Sequence, residues 1–309
     1  MRKEDFNYLS SNGSTLIHCI KWIPDNPIGV IQIVHGITEH IGRYEEFASY
    51  MTNLGYIVIG NDHLGHGKSI ITDKPKMYIG KLGSWNYLVK DIHTLYEIIT
   101  EEYKLPVYLI GFSLGSFVSR NYLIDYNPNY QKVILVGTGM QPSFILNIMK
   151  MIVKNEVKKI GEENTSKFIK DLSFGTYNKQ IKDTKTDCDW LTSSEEEINK
   201  YLNDSLVGKD ITGSLFYELL DGIVYTSKLN NIKKMRNIPI LLLSGLDDPV
   251  GSKGKGVKKL ERIYKKKGLD VTLKLYEGKR HDLIHETNKL EVFNDILNYI
   301  KKNFNKLVN

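Results

Sequence analysis

A hydroxyl becomes a nucleophile at neutral pH when a base takes its proton and an acid orients the base. The 309-residue sequence offers one serine in a setting made for this, within Gly111-Phe112-Ser113-Leu114-Gly115. On its own a Gly-x-Ser-x-Gly run means little; it matters between a strand and a helix. Such a turn holds the serine in strained backbone, and its glycines, lacking Cβ atoms, let strand and helix approach. Apolar Val107–Ile110 leads in and a helical run from about Ser116 leads out. That arrangement puts the Ser113 hydroxyl at the carboxyl end of a sheet, where open α/β sheets place their sites. The plain alternative is a Gly-Ser turn without chemistry.

In this strand–turn–helix setting the chain order is serine, acid, histidine. Beyond Ser113, histidine occurs only at 281 and 285. His281 follows a strand-like stretch, 271–276, and a turn at Gly278, so it is expected in a loop at a strand end. His285 is expected at the start of the last helix, and His281 is the favoured base. The segment Leu241–Pro249 supplies Asp247 and Asp248 for the acid. Spacing does not choose between them, and a turn or N-cap aspartate is the ordinary reading of either. An oxyanion needs two backbone N–H donors. Leu114, after the nucleophile, gives one; Ile37, in the His35-Gly36-Ile37 loop, gives the other.

Two histidine pairs invite a metal, His63/His66 beside Asp62 and His281/His285. A zincin needs both histidines on one helix. Gly278 puts His281 in a loop, and Asp62–Ser69 is too rich in glycine to be helical. Neither Gly-x-Gly-x-x-Gly nor a P-loop occurs, so neither a metal nor a nucleotide cofactor is expected.

The elements that must position these residues alternate. Strand-like stretches are 6–10, 16–22, 29–34, 56–60, 107–110, 133–136, 239–243 and 271–276, the first two flanking the hairpin signal Asn12-Gly13. Helical spacing covers 47–54, 85–103, 116–126, 256–267 and 289–304. Strands that are almost continuously apolar, alternating with helices, imply an α/β fold with a mostly parallel sheet covered on both faces. Residues 140–237 break the alternation, being polar and helical without an evident buried strand. They are expected to form a cap or lid inserted into a core of 1–139 and 238–309.

Composition narrows the classes. The chain is 41% hydrophobic and 25% charged, as globular domains are. No apolar run approaches the ~18 residues of a spanning helix, and no apolar stretch follows the charged N-terminus as a secretory signal would. The net charge is +6, but only six of 42 basic residues are arginine, which reads phosphates and bases bidentately. No nucleic-acid partner is expected; Lys253–Lys267 reads as a solvated helix ending at Gly268. The two cysteines, Cys19 and Cys188, form no framework, and a reduced, cytoplasmic setting is expected.

Five segments in order, His35–Tyr44, Asp62–Ser69, Gly111–Gly115, Gly245–Asp248 and Gly278–His281, resemble the monoacylglycerol lipase/lysophospholipase branch of the α/β-hydrolases, grouped with the serine aminopeptidase S33-type hydrolases. The resemblance spans nearly the whole chain, and Asp189–Tyr201 looks like the cap of bacterial members. It implies an α/β-hydrolase fold with an inserted helical cap and the triad Ser113, Asp248 and His281. The acid is implied because the family's is the last residue of Gly-x-x-Asp. Ile37 and Leu114 are the implied oxyanion donors. The common family elbow is Gly-His-Ser-Met-Gly-Gly; here Phe112 and Ser116 depart from it, at the pocket wall. The expected reaction is ester hydrolysis through an acyl-enzyme, on a monoacylglycerol or lysophospholipid-like single-chain lipid; a thioesterase, acyltransferase, peptidase or non-catalytic binder is the alternative. Residues 144–154 carry apolar side chains at 144, 145, 148, 149, 152 and 153 beside Lys150 and Lys154. Besides Phe112, Ile148 and Ile152 are expected to line an acyl pocket and this face to touch a membrane surface transiently; the plain alternative is a cap helix packed on the core.

Overall fold

The computed structural model describes residues 1–302. Its strands are β1 (Arg2–Leu9), β2 (Leu16–Ile23), β3 (Gly29–Val34), β4 (Tyr56–Asn61), β5 (Val107–Phe112), β6 (Lys132–Val136), β7 (Ile240–Gly245) and β8 (Val271–Tyr276). They form one sheet in the order β1-β2-β4-β3-β5-β6-β7-β8. β1, β2 and β4 pair antiparallel. The remaining neighbours are parallel. The hairpin turns at Gly13, whose φ of 77° favours a residue without Cβ.

Every residue of β3 to β7 is buried, which is why these strands read as unbroken apolar runs. Helices α1 (Glu45–Thr52), α2 (Trp85–Glu102) and α3 (Leu114–Asp125) precede β6. α4 (Ser143–Ile160), α5 (Glu195–Asn203) and α6 (Gly213–Ser227) lie between β6 and β7, and α7 (Lys255–Lys266) and α8 (Lys289–Lys301) follow. Leu88, Ile92, Phe117 and Leu260 of α2, α3 and α7 cover one sheet face. Phe47, Met51, Phe293 and Ile296 of α1 and α8 cover the other. Phe304, within the range expected for the last helix, lies outside the described residues.

Between β6 and β7 the described chain holds helices and turns and no strand. α4 packs on α6 through a narrow stripe, Leu146, Val153 and Val157. Its Phe144, Ile145, Ile148, Met151 and Ile152 are exposed. The register aligns the carboxyl ends of the strands: Val34 faces Gly111, Phe112 faces Val136, and Gly245 faces Tyr276. β3 lies between β4 and β5, so the chain departs to opposite sides of it. Such a reversal opens a crevice at the carboxyl edge. The loops after β3, β5, β7 and β8 carry Ile37, Ser113, Asp248 and His281.

Candidate active site

Ser113 joins β5 to α3 with φ 49° and ψ −116°, a region costly for a residue bearing Cβ. Its surroundings enforce it. The Ser113 N–H donates to the Val136 carbonyl at 2.9 Å, and the Ser116 hydroxyl donates to the Ser113 carbonyl at 2.6 Å. Ser116, one departure from the family elbow, thus closes the turn. A Cβ on Gly115 would collide with the carbonyl oxygens of Val34 and His35, so α3 lies directly against the loop that carries Ile37.

His281 lies in the loop after β8. Its Nε2 is 2.8 Å from Ser113 Oγ, and its Nδ1 is 3.0 Å from Asp248 Oδ1. Asp248 is fully buried and also accepts the Val250 N–H at 2.8 Å. Asp247 points to solvent, its N–H bonded to the Lys279 carbonyl. Geometry therefore separates the two carboxylates that sequence spacing left equivalent. Burial works against a charge on His281, but the Asp248 charge and hydrogen bond outweigh it and hold its pKa above 6.5.

Ile37 borders the space beside Ser113, and Leu114 is the first residue of α3. Among the described residues no acceptor takes either backbone N–H. The Phe112 ring lies 5.2 Å from that of His281 and forms part of the same wall. Ile148 and Ile152 do not reach it. They are 50% and 40% exposed on the outer face of α4, because the stripe meeting α6 is the one through Val153. Neither is among the residues that line the cavity beside Ser113, where the sequence reading expected an acyl pocket.

The cavity beside Ser113 measures about 20 Å³, room for one water. Trp190 closes it, its ring 5.2 Å from that of His281 and stacked on Phe174 at 5.6 Å. The segment bearing Trp190 is tied to the residues flanking His281. Arg280 donates to the carbonyls of Asp189 at 2.6 Å and Thr192 at 2.9 Å, and the Asp282 N–H donates to the Leu191 carbonyl at 2.6 Å. Trp190 had no assigned role in the sequence; its signal was a lone tryptophan in a polar stretch. A larger, open groove of about 650 Å³ runs between Lys76 and Lys209, and none of the triad borders it.

His285 sits in a short turn, Leu283–His285, ahead of α8 rather than in it. With Glu39 and Asp282 it makes a buried trio close enough to ligate an ion. Arg43 fills that electrostatic role: its guanidinium lies 3.3 Å from Glu39, 3.4 Å from Asp282 and 3.4 Å from His285. The buried His63 and His66 lie under the Ile37 loop with His35, where burial depresses their pKa values to about 3 and about 4.

A strained serine, a buried aspartate and a histidine in the loops after β5, β7 and β8, at the carboxyl edge of a mostly parallel sheet, define an α/β-hydrolase with a serine–histidine–aspartate arrangement. The chain belongs to the serine aminopeptidase S33 family, whose model matches residues 25–288. It is 27% identical to the monoglyceride lipase homolog of Monkeypox virus over 89% of this chain and 90% of that one. It is 25% identical to the monoglyceride lipase of Homo sapiens over 95% and 89% of the two chains. The structure is similar to a thermostable carboxyl esterase from Bacillus coagulans solved with glycerol, with TM-score 0.90, 26% identity and coverage of 98% and 99%.

Proposed function

We propose that the protein hydrolyses carboxylic esters through an acyl-enzyme, and that its substrates are single-chain lipids of the monoacylglycerol or lysophospholipid kind. The hydrogen-bonded chain Ser113–His281–Asp248, with separations of 2.8 and 3.0 Å, carries the proposal. His281 takes the Ser113 proton as Oγ attacks the ester carbonyl, while Asp248 steadies the imidazolium. The N–H groups of Ile37 and Leu114 receive the oxyanion. His281 then protonates the leaving alcohol, and water repeats the sequence in reverse to free the acid. The lipid assignment rests on the monoglyceride lipase relatives and the esterase of like structure.

In this reading residues 140–237 cap a core of 1–139 and 238–309, and the segment around Trp190 withdraws to admit the ester. The exposed face of α4, with Phe144, Ile148, Met151 and Ile152 beside Lys154 and Lys158, then meets an anionic lipid surface for a time. Two free thiols, Cys19 and Cys188, accord with a cytoplasmic setting. A panel of monoacylglycerols, lysophospholipids, acyl-CoA and aminoacyl amides tests the assignment. The largest kcat/KM should fall on a glyceryl or lysophospholipid ester. A preference for acyl-CoA or amides overturns the substrate class, and failure of a fluorophosphonate to label Ser113 in folded protein overturns the enzyme.

A further inference from the structure

The oxyanion donor Ile37 N–H sits in a loop that must be aimed to within a fraction of an ångström, and two histidines outside the triad hold its backbone. His35 Nδ1 bonds the Gly36 carbonyl at 2.7 Å, so Nδ1 carries the proton. His35 Nε2 must then be an acceptor, and it takes the His63 N–H at 2.9 Å. His63 Nε2 in turn donates to the His35 carbonyl at 3.0 Å. The two residues thus exchange bonds, with the proton position on each ring set by its partner. The rings lie 4.2 Å apart, centre to centre, and both side chains are buried. His66 adds its ring to the cluster, 5.6 Å from that of His35. On the opposite side the Gly36 N–H is held by Glu39 Oε1 at 2.5 Å.

We propose that His63, acting through His35, is a positioning residue for the oxyanion hole: it fixes the peptide planes of His35 and Gly36 so that the Ile37 N–H faces the atom on which negative charge develops. The inference rests on the acyl-enzyme reading above and adds to it a residue that touches neither ester nor triad. A protonated His35 would present a donor to the His63 N–H, so the lock needs an uncharged His35 ring. Burial, the largest influence on both, together with the neighbouring histidines, keeps each well below its ordinary pKa. The contribution belongs to the transition state. A misaimed N–H leaves ester binding intact and weakens the grip on the oxyanion, and removing an oxyanion donor outright costs roughly 10² to 10³ in kcat.

The test compares His63→Leu, His63→Asn and His63→Gln with the unaltered enzyme. Glutamine places an amide N–H near the position of Nε2, whereas asparagine is too short and leucine has no donor. With p-nitrophenyl butyrate, His63→Leu and His63→Asn should lower kcat by about 10- to 100-fold with KM within about twofold. Affinity for a trifluoromethyl ketone, which mimics the tetrahedral adduct, should fall by the same factor. His63→Gln should recover most of both losses. If leucine prevents folding, the asparagine and glutamine pair decides alone. Equal losses in the glutamine and asparagine variants, or a lowered melting temperature with kcat unchanged, overturn the proposal. Absence of turnover in the unaltered enzyme instead overturns the acyl-enzyme reading on which it rests.

Discussion

Replacing Trp190 by alanine should make the enzyme better at binding large esters. The cavity beside Ser113, about 20 Å³, accepts a water but no acyl chain, so an ester binds only after the Trp190 segment moves. A tryptophan buries on the order of 200 Å², worth ~5 kcal/mol at ~25 cal/mol per Å² if opening exposed it all. Exposure of half would cost ~2.5 kcal/mol, which leaves the open form at roughly 1–2% and raises the apparent KM by that factor. Alanine gives up most of this apolar contact but keeps the backbone bonds to Arg280 and Asp282. For p-nitrophenyl octanoate, KM should therefore fall about tenfold or more in Trp190→Ala, with kcat changed by less than about threefold. Initial rates across a substrate series read both constants. A KM that rises would mean that Trp190 holds bound ester instead of excluding it, and the gating argument would fail.

Asp248→Asn should lower kcat by roughly 10⁴, as loss of the orienting acid does in serine proteases, while Asp247→Asn at the exposed neighbour should change it little. Reversed losses in a p-nitrophenyl butyrate assay would put the acid one residue earlier. Because Asp248 keeps the His281 pKa above 6.5 and only neutral imidazole accepts the Ser113 proton, kcat/KM should rise with pH through an inflection above 6.5. In Asp248→Asn the residual activity should show a lower inflection; an inflection at or below 6.5 in the unaltered enzyme contradicts the coupling. Ile148→Asn with Ile152→Asn, both exposed, should leave urea stability within ~0.5 kcal/mol and short-ester kinetics unchanged. The pair should weaken sedimentation with phosphatidylserine vesicles at least about tenfold, two apolar side chains being worth ~1.5–3 kcal/mol each when fully buried. Undiminished vesicle binding would remove the lipid contact from α4.

The strands and the triad loops were legible because parallel strands buried on both faces leave unbroken apolar runs, and because the chain order serine, acid, histidine fixes which loops must converge. β3 falls where its apolar run predicted, at 29–34, and the edge strand β8, partly exposed, falls at the expected 271–276. Asp247 and Asp248 could not be told apart, since the backbone after Gly245 decides which carboxylate turns inward. For α4 the periodicity showed an amphipathic helix but not which apolar residues would meet a neighbour. The apolar surface is wider than the buried stripe of Leu146, Val153 and Val157, and Ile148 and Ile152 fall outside it. No role for Trp190 or His63 was readable, because each makes its contact with a residue distant in sequence, His281 and His35.

The most direct test of the account is turnover of a p-nitrophenyl ester by Ser113→Ala, purified free of host esterases and shown to fold. In the proposed mechanism the Ser113 Oγ, 2.8 Å from His281 Nε2, forms the acyl bond. Its removal should therefore lower kcat by at least ~10³ while the melting temperature stays near that of the unaltered protein. Turnover by the folded Ser113→Ala protein at the unaltered rate would contradict the assignment of the nucleophile and, with it, the mechanism.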